Sequence, residues 1–211
     1  MTAGPVPLTR SSLAAAVRVL TARDGDLAAV VDCHGPPPLW ARPPGFVTLV
    51  HIILEQQVSL ASARAALERL QQGLGALQPA TIAALNPDAL RRLGLTRQKA
   101  AYCHHLATLI DRGTLRLDAL STLDDGSVRE ALTEVRGIGP WTADIYLLMA
   151  LGRPDIWPDG DLALVSALAE VKGLASRPNV ETARDLVRSW SPWRSVAARI
   201  LWHHYLSTRA K

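Results

Sequence analysis

A chain of 211 residues with 48% hydrophobic and 20% charged residues is globular in composition and long enough to bury a substantial core, as one large domain or two small lobes. No apolar run approaches the ~20 residues of a membrane helix and no basic-then-apolar leader opens the chain, so a cytoplasmic protein without a membrane partner is expected. The net charge of +4, carried mostly by Arg, favours an anionic partner, because guanidinium binds phosphate in a bidentate way.

Cys33 and Cys103 are the two cysteines. They are too few for a cysteine-held iron–sulfur cluster or a disulfide framework and read as buried thiols.

Residues 1–10 are rich in breakers and are expected to be loosely held. Ser11 or Ser12 reads as the cap of a helix over 13–22, and Asp24 to Asp26 as the start of another over 27–32. Proline-rich segments at 34–38 and 42–45 bracket Leu39 and Trp40 in a stiff loop that either buries the indole or offers it to a ligand. Phe46–Glu55 is nearly all apolar and predicts a central buried helix, although its β-branched content also allows a strand. Gln56, Gln57 and Val58 interrupt the pattern before Ser59 opens a helix over 60–70. The two amides either cap neighbouring helix ends or reach base edges and the space a displaced base leaves.

Asn86 before Pro87, and Thr96, look like helix starts separated by a turn at Leu93-Gly94-Leu95. The helix over 97–109 has Arg97, Gln98 and Lys99 in its first turn, where cations oppose the dipole; an anionic partner or a solvated face accounts for them. Asp124, Asp125 or Ser127 begins a helix that runs to a turn at Gly137, and further helices are predicted over 162–171, 180–188 and from Pro192 to 207. The adjacent pairs His104-His105 and His203-His204 lack the i, i+4 spacing of a helical metal site. The fold class is therefore all-α, with two helical lobes and an active-site cleft between them along residues 132–161. Residues 1–45 form N-terminal helices and a proline loop belonging to a split lobe, 46–135 a central lobe, and 136–211 the hairpin, a catalytic loop and closing helices.

The chemistry concentrates in residues 132–162, LTEVRGIGPWTADIYLLMALGRPDIWPDGDL. Gly137 and Gly139 allow positive φ and close approach by another molecule, and Pro140 suits a first helical position. The amides from Gly139 to Ala143 would then start a helix without internal partners and attract phosphate, unless the glycines serve packing alone. Asp161 precedes an apolar helix and reads as its N-cap, a role compatible with catalysis; Asp159 competes for the catalytic role, and spacing does not choose between them.

Taken with ILEQQVSLASA, LGLTRQKA and SWSPWRSVAARILWHHYL, this stretch resembles the helix-hairpin-helix, Gly/Pro/Asp-loop superfamily of DNA glycosylases, and within it the 3-methyladenine DNA glycosylase II group. The resemblance covers roughly residues 39–206. It implies that Gly137, Ile138, Gly139, Trp141, Thr142 and Ala143 grip the DNA backbone. The carbonyls of Thr133, Val135 and Ile138 would hold a monovalent cation, Na or K. It also selects Asp161 as the catalytic carboxylate, because the family's aspartate precedes an apolar residue and a Leu-rich helix.

Trp141 and Trp202 match pocket tryptophans, Trp40 is a further pocket candidate, and Ile145 stands where a pocket tyrosine is expected. Gln56 and Gln57 match the loop that fills the duplex gap, with Glu55 where many members have Gly, and Arg97 falls at an intercalating position. Trp141 replaces the lysine of Schiff-base-forming members, which implies a monofunctional hydrolase that uses water. The resemblance implies no catalytic cofactor, no iron–sulfur cluster and a minimal form without the N-terminal mixed lobe of longer members. The implied activity is excision of alkylated bases from double-stranded DNA by a monomer; a glycosylase for deaminated or oxidised bases and a noncatalytic DNA-binding protein are the rival readings.

Overall fold

The computed structural model describes residues 6–209, and every regular element among them is helical. In chain order these are α1 (Arg10–Arg23), α2 (Gly25–His34), α3 (Phe46–Glu55), α4 (Leu60–Leu74), α5 (Pro79–Ala83), α6 (Pro87–Arg92), α7 (Arg97–Asp111), α8 (Asp125–Thr133), α9 (Pro140–Ile145), α10 (Leu162–Val171), α11 (Val180–Val187) and α12 (Arg194–Arg209). A π turn over Tyr146–Ala150 extends α9, and no described helix is long and apolar enough to cross a membrane.

Local chemistry sets most helix starts. Thr9, not Ser11 or Ser12, caps α1: the Ser12 amide donates to its Oγ1 at 3.1 Å, while the Thr9 amide donates to Ser12 Oγ at 2.8 Å. This is a capping box with serine in the third position, so the predicted cap is its reciprocal partner. The chain is thus held from Thr9, and of the segment expected to be loose, residues 1–5 lie outside those described. Asp24, Asn86, Thr96 and Asp124 each accept backbone amides at the starts of α2, α6, α7 and α8. The β-branched run of α3 is helical because Leu49, Val50, Ile52 and Ile53 are all fully buried, and burial on every side outweighs weak local propensity. α5 escapes sequence reading, since five residues with Ile82 as their buried side chain show no period.

The chain forms two compact units, one of Arg42–Leu151 and one of Val6–Ala41 with the chain from Gly152 onward. This differs from the division at 45 and 135: the hairpin belongs with the central helices, because α9 and the π turn pack on α3. The crossing falls at Gly152, which has φ +65° and accepts the Leu8 amide at 2.7 Å within the second unit.

In the first unit α3 is held at both ends. The Gly45 amide at its start donates to the hydroxyl of the buried Tyr146 at 3.0 Å, and Lys99 Nζ donates to the Leu54 carbonyl at 2.7 Å. Glu55 is buried and receives both terminal nitrogens of Arg42, at 3.0 and 2.7 Å, so it ties the strand of chain entering α3 to the helix's last turn. In the second unit Asp24 ties α2 to two distant segments. It caps α2, takes Lys172 Nζ at 2.9 and 2.7 Å, and accepts the Trp190 indole at 2.7 Å. Of the two cysteines expected to be buried, Cys103 is, and burial pushes its thiol up to about 12; Cys33 is exposed on α2.

Candidate active site

The hairpin lies in the first unit. α8 closes with the Val135 amide donating to the Leu132 carbonyl at 3.1 Å, and the Ile138 amide then turns back onto the Val135 carbonyl at 2.9 Å. Val135 and Ile138 bury their side chains, so Ile138 offers a ligand only its backbone. The two glycines differ. Gly137 has φ +95° and lies under the ring of Tyr102, where a Cβ would stand 2.1 Å from Cγ. Gly139 has φ −93°, and a Cβ there would meet nothing within 4 Å. The expectation of positive φ thus holds for Gly137 alone; Gly139 has no internal need for its missing side chain and leaves an exposed, open approach to the first turn of α9.

α8 and α9 are joined by Arg129 Nε, which donates to Asp144 Oδ1 at 2.6 Å. Asp144 is only 4% exposed, and residues 15 apart across a turn share no helical period that would announce the tie. Arg136 is a further exposed cation, in the turn itself.

Gln56 does not reach outward. Its Nε2 donates to the Gly137 carbonyl at 2.9 Å and to Thr142 Oγ1 at 3.0 Å, using both amide hydrogens to brace the hairpin from behind. Gln57 is the exposed glutamine and sits at φ +57°, a left-handed conformation uncommon outside glycine. Arg97 is exposed at the start of α7, and Trp141 is half-buried in the first turn of α9. Thr142 and Ala143 are buried, and Thr133 is exposed with its hydroxyl donating back to the Arg129 carbonyl at 2.8 Å. Ile145 is 2% exposed and packs in the core.

The catalytic-loop candidate lies in the second unit. Trp157, buried against Trp190 with ring centres 6.1 Å apart, anchors its start. Gly160 at φ +76° then turns the chain, and Asp161 caps α10. Oδ1 of the half-buried Asp161 accepts the Leu164 amide at 2.8 Å and the Trp202 indole Nε1 at 3.3 Å. Asp159 is engaged differently: its Oδ2 accepts both Nε and Nη2 of Arg184, at 2.8 and 2.5 Å. The two aspartates left open by spacing thus differ in place: Asp159 pairs with Arg184, and Asp161 caps α10 beside the Trp202 indole.

Trp202 is 8% exposed on α12, and its indole meets Asp161. Trp40 is half-buried at φ +47°, with the Leu39 carbonyl before it accepting Arg199 Nε at 2.8 Å. Its ring stands edge-on to His203 at 6.3 Å and lines a cavity of about 580 Å³ together with Arg10, Leu13, Val17 and Pro37.

Comparison with known proteins identifies the family. Residues 50–192 match the family model described as HhH-GPD superfamily base excision DNA repair protein. A putative DNA-3-methyladenine glycosylase of Bacillus subtilis strain 168 is 30% identical over 184 residues, covering 83% of this chain and 64% of that protein. DNA-3-methyladenine glycosylase 2 of Escherichia coli K12 is 28% identical over 170 residues, covering 73% of this chain and 55% of that protein. The chain thus spans less than two thirds of the length of these curated relatives. Among solved structures, a DNA-3-methyladenine glycosidase from Bacillus halodurans superposes with a TM-score of 0.76 at 27% identity, covering 93% of this chain and 91% of that one. A 3-methyladenine DNA glycosylase of Schizosaccharomyces pombe in complex with abasic DNA shares the fold, with a TM-score of 0.80 at 21% identity over 89% of this chain and 94% of that one. The hairpin, the aspartate-bearing loop and a family match over more than half the chain lead to one assignment: the protein belongs to the HhH-GPD superfamily of base excision DNA repair proteins.

Proposed function

We propose that the protein is a monofunctional DNA glycosylase, acting as a cytoplasmic monomer, that hydrolyses the N-glycosidic bond of alkylated bases of the 3-methyladenine and 7-methylguanine type in double-stranded DNA. The observation that carries this reading is the Asp161 carboxylate, fixed at the start of α10 by the Leu164 amide and the Trp202 indole. The names of the relatives support the substrate class.

Cleaving a base from deoxyribose builds positive charge on the sugar, and a fixed carboxylate stabilises that charge and orients or deprotonates water. N-alkylated purines are cationic and leave readily, so the remaining demands are extrusion of the nucleotide and a grip on its backbone. The amides around Gly139 and the start of α9 supply the grip, Gln57 and Arg97 reach the duplex, and the faces of Trp141 and Trp202 attract a cationic base with ~0.5–2 kcal/mol. Trp40 is a further aromatic for base selection, held in place by the buried Arg199. Trp141, in the lysine position of the Schiff-base-forming members, supports water as the nucleophile.

The carbonyls of Thr133, Val135 and Ile138 suit a monovalent cation, since they are neutral oxygens at the negative end of α8 and the Val135 carbonyl already faces into the turn. Such an ion would add positive charge to the phosphate grip.

Incubating the protein with duplexes that each carry one defined lesion, followed by alkali to cleave abasic sites, tests the reading. Release of 3-methyladenine or 7-methylguanine is expected. Duplex binding without release of any alkylated base sinks it, and preferential release of deaminated or oxidised bases would favour the second reading that the core-buried Ile145 admits by removing the tyrosine from the pocket.

A further inference from the structure

We infer that Tyr102 of α7 is a positioning residue for duplex binding, setting the hairpin in its phosphate-gripping shape before DNA arrives. The inference rests on the hairpin being the phosphate grip, as proposed above.

The hairpin's most constrained residue is Gly137, and it is clamped from two directions. Gln56 Nε2 holds its carbonyl at 2.9 Å. The Tyr102 ring covers its Cα so closely that an added Cβ would lie 2.1, 2.4 and 2.5 Å from Cγ, Cδ2 and Cδ1. Nearly equal distances to three adjoining ring atoms mean that the ring lies flat over the main chain instead of touching it at one edge. A flat ring against a peptide fixes the tilt of the two peptide planes that meet at Gly137, and the next peptides in the chain are those that carry the Ile138, Gly139 and α9 amides.

Tyr102 is itself held. Gln98 Nε2, one turn earlier on the same face of α7, donates to the Tyr102 hydroxyl at 2.6 Å. Lys99, also on that face, reaches the last turn of α3 through the Leu54 carbonyl at 2.7 Å. One face of α7 thus touches both the chain leading to Gln57 and the hairpin. The contrast between the glycines gives the clamp its purpose: Gly137 is immobilised from inside while Gly139, two residues on, faces open space. Tyr102 is only half-buried, and its hydroxyl partner Gln98 is exposed, so the clamp stands at the surface beside the loop it orients and not in the hydrophobic core.

The test uses Tyr102→Leu, Tyr102→Ala and Tyr102→Phe in the full chain. Undamaged-duplex binding is read by anisotropy across a salt series, alongside thermal melting and single-turnover excision. Tyr102→Leu and Tyr102→Ala are expected to bind duplex about tenfold more weakly, with a salt slope shallower by about 0.9 for each phosphate that the hairpin no longer neutralises. Tyr102→Phe keeps the flat ring and is expected to bind within about twofold of wild type. With enzyme in saturating excess, the excision rate of Tyr102→Leu should match wild type, so the defect lies in KM and not kcat. A folded Tyr102→Leu protein with wild-type affinity and salt slope overturns the inference, and Tyr102→Leu decides it if Tyr102→Ala fails to fold. If wild type binds no duplex at all, the DNA reading falls with it; if wild type binds and Tyr102→Leu is unchanged, only this inference falls.

Discussion

The indole Nε1 of Trp202 and the backbone amide of Leu164 both donate to Oδ1 of Asp161, at 3.3 and 2.8 Å. Two donors on one oxygen fix the orientation of the carboxylate at the start of α10. Asp159, two residues earlier, meets the guanidinium of Arg184.

Asp161→Asn therefore separates capping from chemistry. Asparagine caps a helix about as well as aspartate, so the melting temperature should hold while excision falls by at least ~10²-fold, the scale for losing a transition-state electrostatic contact. Duplex affinity should be kept or raised, because a negative charge near phosphate is removed. Asp159→Asn should leave most of the rate and alter chiefly the Arg184 contact. Single-turnover excision of both variants decides the assignment; a dead Asp159→Asn with an active Asp161→Asn reverses it.

The hairpin glycines should respond in opposite ways. Gly137→Ala forces a side chain into φ +95° and against Tyr102, and should destabilise the fold by roughly 3 kcal/mol or more, since strain and overpacking add. Gly139→Ala meets no internal atom within 4 Å and should melt like wild type. Its methyl group nevertheless occupies the open approach to α9, so duplex binding should weaken. Paired melting and anisotropy measurements check both halves, and a Gly139→Ala variant of unchanged affinity would remove that residue from the interface.

The two glutamines should also part company. Gln56→Ala leaves the Gly137 carbonyl and the 1% exposed Thr142 hydroxyl without their shared donor, which should cost about 1–3 kcal/mol. Gln57→Ala touches an exposed side chain and should leave stability nearly unchanged while weakening engagement of the duplex. Denaturant titration of each variant reads the difference directly.

Acid should attack the second unit through Asp24. Burial alone would raise its pKa, but hydrogen bonds from Lys172, Trp190 and the Leu27 amide, with the charge of Lys172, outweigh burial and hold it below the usual aspartate value. A pKa lower in the folded than in the unfolded chain gives stability that is present above the unfolded value of about 3.9 and lost as pH falls through the folded one. Melting temperature should accordingly drop below about pH 4. Asp24→Asn should be less stable at neutral pH and show a shallower acid limb; an unchanged acid limb would show that other carboxylates dominate it.

Much of this protein was legible from local sequence. Thr96, Asn86 and Asp161 cap the helices they precede, and α3 and α10 occupy the spans their patterns predict, because capping and apolar periodicity act within a few residues. The motif order from ILEQQVSLASA to SWSPWRSVAARILWHHYL pointed to the family, and the match over residues 50–192 bears that out. Tertiary structure decided matters that depend on distant partners. It turned Gln56 inward onto Gly137, 81 residues away, and left Gln57 at the surface. It put Ile145 in the core, paired Arg129 with Asp144 and gave Asp159 to Arg184 while Trp202 found Asp161. A side chain's type limits what it can bond, but which partner it meets depends on the packing of helices far apart in the chain, and no local pattern encodes that packing.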